Sequence, residues 1–96
     1  MEKTRNYSAL FIIDAAQEDT IDEKTKKIKE IITENKGVVT SEKMIGKKRL
    51  AYLVQKKSEG IYYELNFTGL PSSITKINGL CRINTAILRT IIDKAE

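Results

Sequence analysis

A chain of 96 residues with 41% hydrophobic and 31% charged residues has the composition of one folded domain, residues 1–96, with a single core and little volume for an enclosed cofactor. There is no histidine and one cysteine, which removes the usual general base near neutral pH, the commonest transition-metal ligand and any internal disulfide. No apolar run approaches a membrane span, no secretory signal follows residues 1–5, and no Gly-rich phosphate loop, nucleophile elbow or zinc spacing occurs, so catalysis, cofactors, metals and a membrane partner are not expected.

Residues 7–13 alternate, with Tyr7, Ala9, Phe11 and Ile13 on one face and Ser8, Leu10 and Ile12 on the other, as in a central strand. Thr20-Ile21-Asp22-Glu23 has the capping-box pattern and predicts a helix from about Thr20. Its stripe is Ile21, Thr25, Ile28, Ile31 and Ile32, its acids precede its lysines, and Gly37 is a natural stop. An extended segment then runs from Val38 to about Lys56, with a bend expected near Gly46. Ser58-Glu59-Gly60 reads as the turn, after which Ile61, Tyr63, Leu65 and Phe67 point inward and Tyr62, Glu64 and Asn66 outward. Pro71-Ser72-Ser73 opens a second helix with Ile74, Ile77 and Leu80 on one face, weakened at Asn78-Gly79. Residues 86–92 form the last strand, and Cys81 is expected to be a small buried apolar residue.

The order β-α-β-β-α-β with right-handed crossovers predicts an α+β, ferredoxin-like sandwich: a four-stranded antiparallel sheet with both helices on one face. The open face should then carry Ser8, Leu10, Ile12, Tyr62, Glu64, Asn66, Ile87 and Arg89. Its apolar members Leu10, Ile12, Tyr62 and Ile87 are candidates for contact with a protein partner.

Charge is unevenly placed. Residues 18–36 hold five Lys and six Asp or Glu, so the basic surplus lies elsewhere. Six Lys or Arg and no acid occur in residues 43–57, and no acid occurs between Leu65 and Ile92. The helix lysines Lys24, Lys26, Lys27 and Lys29 read as a solvated face with pairs such as Glu23–Lys27. A single-sign field mounted on a strand suits a polyanion. Lys47, Lys48, Arg49, Lys56, Arg82 and Arg89 are the candidate phosphate contacts, with Arg5 as a weaker one.

Glu42 followed by Gly46-Lys47-Lys48-Arg49-Leu50-Ala51-Tyr52-Leu53-Val54-Gln55-Lys56 resembles the E-x-x-G-x-[RK]-x-L-A-Y-P-I-x-K signature of the bacterial small-subunit ribosomal protein six family. Arg82-Ile83-Asn84-Thr85-Ala86-Ile87-Leu88-Arg89 resembles that family's R-x-N-x-A-V-L-R ending, and Tyr7 and Gly60-Ile61-Tyr62 fall at its expected strand positions. The resemblance spans nearly the whole chain. It implies a structural role in the cytoplasmic ribosome, binding the central domain of small-subunit ribosomal RNA with small-subunit ribosomal protein eighteen.

The departures are specific. Leu53 replaces the family's proline, Ser8 its glutamate, and Ile45 its Trp or Leu, with one additional residue between Glu42 and Gly46. The tail-dependent additions of some members are not expected at Glu96. Other functions of the same topology fit less well. A small-molecule-sensing regulatory domain would use Gly-rich ligand loops. An acylphosphatase would need an Arg loop where Asp14-Ala15-Ala16-Gln17 stands, and a single-strand RNA reader would need aromatics where Glu64 and Asn66 stand.

Overall fold

The computed structural model describes residues 3–54, 56–84 and 86–95. Gln55, Thr85 and Glu96, all named in the sequence reading, lie outside the described residues. The elements are β1 (Arg5–Asp14), a 3-10 segment (Ala15–Thr20), α1 (Ile21–Glu34), β2 (Val38–Val54), β3 (Lys57–Gly69), α2 (Pro71–Arg82) and β4 (Ile87–Lys94). The sheet order is β2-β3-β1-β4 with every neighbouring pair antiparallel, and both helices pack on one face, the expected ferredoxin-like α+β architecture.

Alternation makes the core. Tyr7, Ala9, Phe11 and Ile13 of β1 and Ile61, Tyr63, Leu65 and Phe67 of β3 are buried against Ile28, Ile31 and Ile32 of α1 and Ile77 and Cys81 of α2. Register is held by aromatic pairs across the two central strands: Tyr7 opposes Phe67 with ring centroids 5.6 Å apart, and Phe11 opposes Tyr63 at 6.2 Å. A one-residue slip would separate both pairs and turn the apolar set to the open face.

The ends of α1 differ from the sequence reading in mechanism. Thr20 precedes the helix but its side chain caps nothing, because the 3-10 segment leads straight into α1 and the Ile21 N–H donates to the Glu18 carbonyl. Asp14 is the side-chain cap instead, accepting from the Ala16 N–H at 3.0 Å. At the other end Lys36, not Gly37, takes the left-handed conformation (φ 67°). The Gly37 N–H donates to the Ile32 carbonyl at 2.8 Å and the Lys36 N–H to Thr33 at 3.2 Å, the two bonds of a Schellman motif. α2 continues through Asn78 and Gly79 to Arg82, carried by the burial of Ile77 and Cys81.

Cys81 is fully buried, and burial pushes its thiol from an ordinary value of 9 up to about 11. A raised folded-state value favours the folded form fully below pH 9, and that contribution is lost as pH rises from 9 to 11. We therefore expect Cys81 alkylation at pH 8 to be slower than in the denatured chain by at least about a thousandfold, tracking global unfolding. Stopped-flow reaction with a thiol reagent, native against urea-unfolded, measures this. Rapid native labelling would contradict the burial.

Candidate nucleic-acid interface

β1 ends opposite β3 at the pair Asp14–Gly60, but β2 and β3 continue together as a hairpin arm through Lys48–Gly60, Arg49–Glu59 and Val54–Lys57. The reversal therefore falls at the tip, where Lys56 has φ 66°, and not at Ser58-Glu59-Gly60 as read from composition. Gly60 serves close packing instead, since a Cβ there would run into Ile12 Cγ2. Two irregularities shape the arm. The register shifts between Met44 and Gly46, where Gly46 has φ 112°, so the bend expected near Gly46 is a bulge that takes up Ile45. Farther out, residues 50–53 stand against Ser58 alone.

That excess length carries Leu50 and Tyr52 over the open sheet face, where they line a small cavity of about 90 Å³ with Ile12, Tyr62 and Arg89. Arg89 Nη1 donates to the Tyr52 hydroxyl at 2.7 Å, tying the arm to β4. Tyr52 was missed as a site residue. Its place in the Leu-Ala-Tyr run was visible, but the bond to Arg89 was not.

The arm divides its cations between two faces. Lys47 opposes inward-facing Ile61 and reaches Glu18 at 3.4 Å, while Lys48 lies 5.9 Å from the Tyr62 ring on the open side. Alternation puts Arg49 with Lys47, so the arm presents cations on both of its faces. Lys57 pairs with Asp14 at 3.4 Å, whereas Lys48, Arg49 and Lys56 have no acidic partner among the described residues. Arg82 and Arg89 converge at the same end of the sheet, lining a cavity of about 380 Å³ with Ile87, Leu88 and Thr90. Arg5 stands apart. It pairs with Gly69 at the far end of β1, about 30 Å of strand from the arm.

The predicted protein-partner surface needs two corrections. Ile87 is 4% exposed and belongs to the core, because β4 carries a bulge: Ile87 opposes Ile13 but Arg89 opposes Ile12, so Leu88 is the extra residue. Ile12 does face the open side but is 6% exposed, covered by the returning arm. Leu10 and Tyr62 stay half-buried on the open face. Ile91, which opposes Leu10 and is 40% exposed, joins them there, a residue reachable only once the bulge is known.

The base of the arm is fastened by a polar group on the helix side. The Tyr63 hydroxyl donates to Glu42 at 2.5 Å, and Lys29 reaches the same carboxylate at 2.8 Å. Lys29 is thus a strut between α1 and β2 and not only solvated surface. Lys29 and then the Tyr63 hydroxyl hold the Glu42 carboxyl below its ordinary 4.5, while burial and Glu42 push the Tyr63 phenol upward. A depressed carboxyl contributes stability fully present above pH 4.5 and lost as pH falls through its folded value. We expect Glu42→Gln to flatten the acid limb of stability below pH 4.5, read as urea midpoints between pH 7 and 3. Parallel curves for the two proteins would exclude Glu42.

No helix among the described residues is long and apolar enough to cross a membrane. The fold defines a small ferredoxin-like α+β protein whose β2–β3 arm exposes Lys47, Lys48 and Arg49. The sequence profile described as Ribosomal protein S6 matches residues 6–94. A small ribosomal subunit protein bS6 of Cutibacterium acnes is 40% identical over 93 residues, covering 96% of this chain and 97% of that one. The bS6 of an Arthrobacter species is 36% identical over 96% of this chain and 92% of its own. The crystal structure of 30S ribosomal protein S6 from Thermotoga maritima superposes with a TM-score of 0.88 at 26% identity, over 96% of this chain and 88% of that one. The chain belongs to the ribosomal protein S6 family.

Proposed function

We propose that this chain is a structural component of the small ribosomal subunit in the cytoplasm. There it binds the central domain of small-subunit ribosomal RNA together with small-subunit ribosomal protein eighteen. The observation that carries the reading is family membership over residues 6–94, in a chain whose β2–β3 arm exposes Lys47, Lys48 and Arg49 at the end of the sheet where Arg82 and Arg89 also lie. Lys47, Lys48, Arg49, Lys56, Arg82 and Arg89 supply contacts to phosphate, which recognise a folded RNA by shape and backbone. Leu10, Tyr62 and Ile91 on the open sheet face are the apolar surface for the protein partner. Glu64, which opposes Leu10 on β3, would repel a phosphate laid flat across that face, which favours a protein there.

Affinity purification from a bacterial lysate, with and without ribonuclease, tests the reading. The expected result is recovery of small-subunit RNA with protein eighteen; persistence of the protein after ribonuclease would report direct contact. Recovery of neither overturns it. With purified components, about 4–5 phosphate contacts predict a log–log salt slope near −4.

A further inference from the structure

We propose that β4 is a self-complementary edge through which two copies of the unassembled chain pair antiparallel, Ile91 against Ile91, joining two four-stranded sheets into one. The sheet has two free edges, β2 and β4. β2 is blunted by exposed Lys43, Lys47 and Lys48 and by register shifts between Val39 and Ser41 and between Met44 and Gly46. β4 has no such protection over Thr90-Ile91-Ile92. It carries no proline or lysine there, all three residues are β-branched, and its pairing with β1 is regular from Arg89 to Lys94.

The register follows from backbone and charge together. The Ala95 N–H donates to the Asn6 carbonyl at 2.9 Å, so by antiparallel alternation Asp93, Ile91 and Arg89 turn their backbone groups to β1. Thr90 and Ile92 turn theirs to the free edge, where an added strand must meet them. With Ile91 on the two-fold axis, Thr90 of each copy opposes Ile92 of the other, and each such pair exchanges two N–H···O bonds. The same register sets Arg89 opposite Asp93 at both ends of the pairing, on the open face where both are exposed. Sliding the strands by one pleat keeps the backbone bonds but sets Ile91 against Arg89 or against Asp93, so the charges select the centred register. Exposed Ile91 then meets its own copy at a non-hydrogen-bonded pair, where side chains approach most closely. Arg89 gives one N–H to the neutral Tyr52 hydroxyl, while a carboxylate is the stronger acceptor and the other guanidinium donors are open to it. Arg89 and Ile91 belong to the surfaces proposed above for RNA and the protein partner, so the dimer is a state of the chain outside the particle. Only that exclusion rests on the RNA reading, and the pairing is tested without RNA.

One strand edge is a small interface and predicts a transient dimer, with a Kd of about 100 µM, read by sedimentation equilibrium from about 10 µM to 1 mM. Arg89→Glu and Asp93→Arg each turn both cross-strand contacts into like-charge pairs, and each should weaken dimerisation at least about tenfold. Mixing the two variants restores opposite charges at both contacts, so the mixture should regain the parent's affinity as a heterodimer. Independently of charge, Ile91→Cys should give a disulfide-linked dimer on mild oxidation, since residues facing across such a pair stand about 4.5 Å apart at Cα. Lys94→Cys, about 20 Å from its own copy in this register, should not. Arg89→Glu also loses the bond to Tyr52; should that variant unfold, the two cysteine variants decide alone. A parent that stays monomeric up to about 1 mM overturns the proposal and leaves the β4 edge to a strand of another protein. A parent dimer that neither charge variant weakens, folded variants whose mixture stays monomeric, or Ile91→Cys linking no faster than Lys94→Cys would each place the contact elsewhere and likewise overturn it.

Discussion

Replacing Lys47, Lys48 and Arg49 together by glutamate should lower affinity for small-subunit RNA by about a hundredfold or more near physiological salt and flatten the salt slope by about three. Three favourable counterion-releasing contacts become three repulsions, and fluorescence anisotropy across a salt series reads both quantities. The fold should survive, because the three side chains are exposed and lie on the arm beyond or at the edge of the β1–β3 ladder. The one ion pair lost is Lys47–Glu18, which is exposed and contributes little. Circular dichroism and an unchanged thermal transition would verify that. The two faces can then be separated: Lys48→Glu alters the open side, and Lys47→Glu with Arg49→Glu alters the other. Parent-like affinity in the triple variant would remove the arm from the RNA-binding surface and leave Arg82 and Arg89 as the remaining candidates.

Gly37→Ala should destabilise the fold by about 2–3 kcal/mol, an overpacking cost in a place that cannot relax. An added Cβ would lie 2.5 Å from Ile32 Cγ2, 2.9 Å from the Ile32 carbonyl oxygen and 3.4 Å from that of Thr68. Ile32 is fully buried, and the two oxygens belong to the α1 terminus and to β3, so neither yields without moving an element. By contrast Lys36→Gly should stabilise by about 0.5–1 kcal/mol, since glycine removes the left-handed strain at the cost of some unfolded-state entropy. For a domain of this size the two changes correspond to a Tm fall of about 10–20 °C and a rise of about 2–6 °C. Calorimetry on the two variants separates close approach from backbone conformation as the reason for the Lys36-Gly37 pair. A mild Gly37→Ala together with a destabilising Lys36→Gly would reverse this account.

That pair illustrates how much was legible beforehand. The helix end was readable at Gly37 because a glycine after a polar run is a frequent stop, yet its reason lies in Ile32 and Thr68, one of them 31 residues away. The arm shows the same division. Its cations and its alternation are plain in the chain, but Ser58-Glu59-Gly60 has the composition of a turn without being the turn. Only the packing of Gly60 beneath Ile12 shows the glycine serving a different need. Among the candidate contacts, Arg82 and Arg89 were found as isolated charges, and nothing in their spacing placed them in one cavity.

By itself the sequence determined the order of elements, the inward face of β1 and β3, the burial of Cys81, the acid-free basic run at residues 43–57 and the family. Each of these is written in local period, composition or contiguous motif. Tertiary structure alone decided which face Ile87 occupies, what covers Ile12 and which acid Lys29 meets. Those outcomes depend on bulges in β2 and β4. A bulge inverts the facing of every residue beyond it, and its position is set by how two strands distant in sequence fit together.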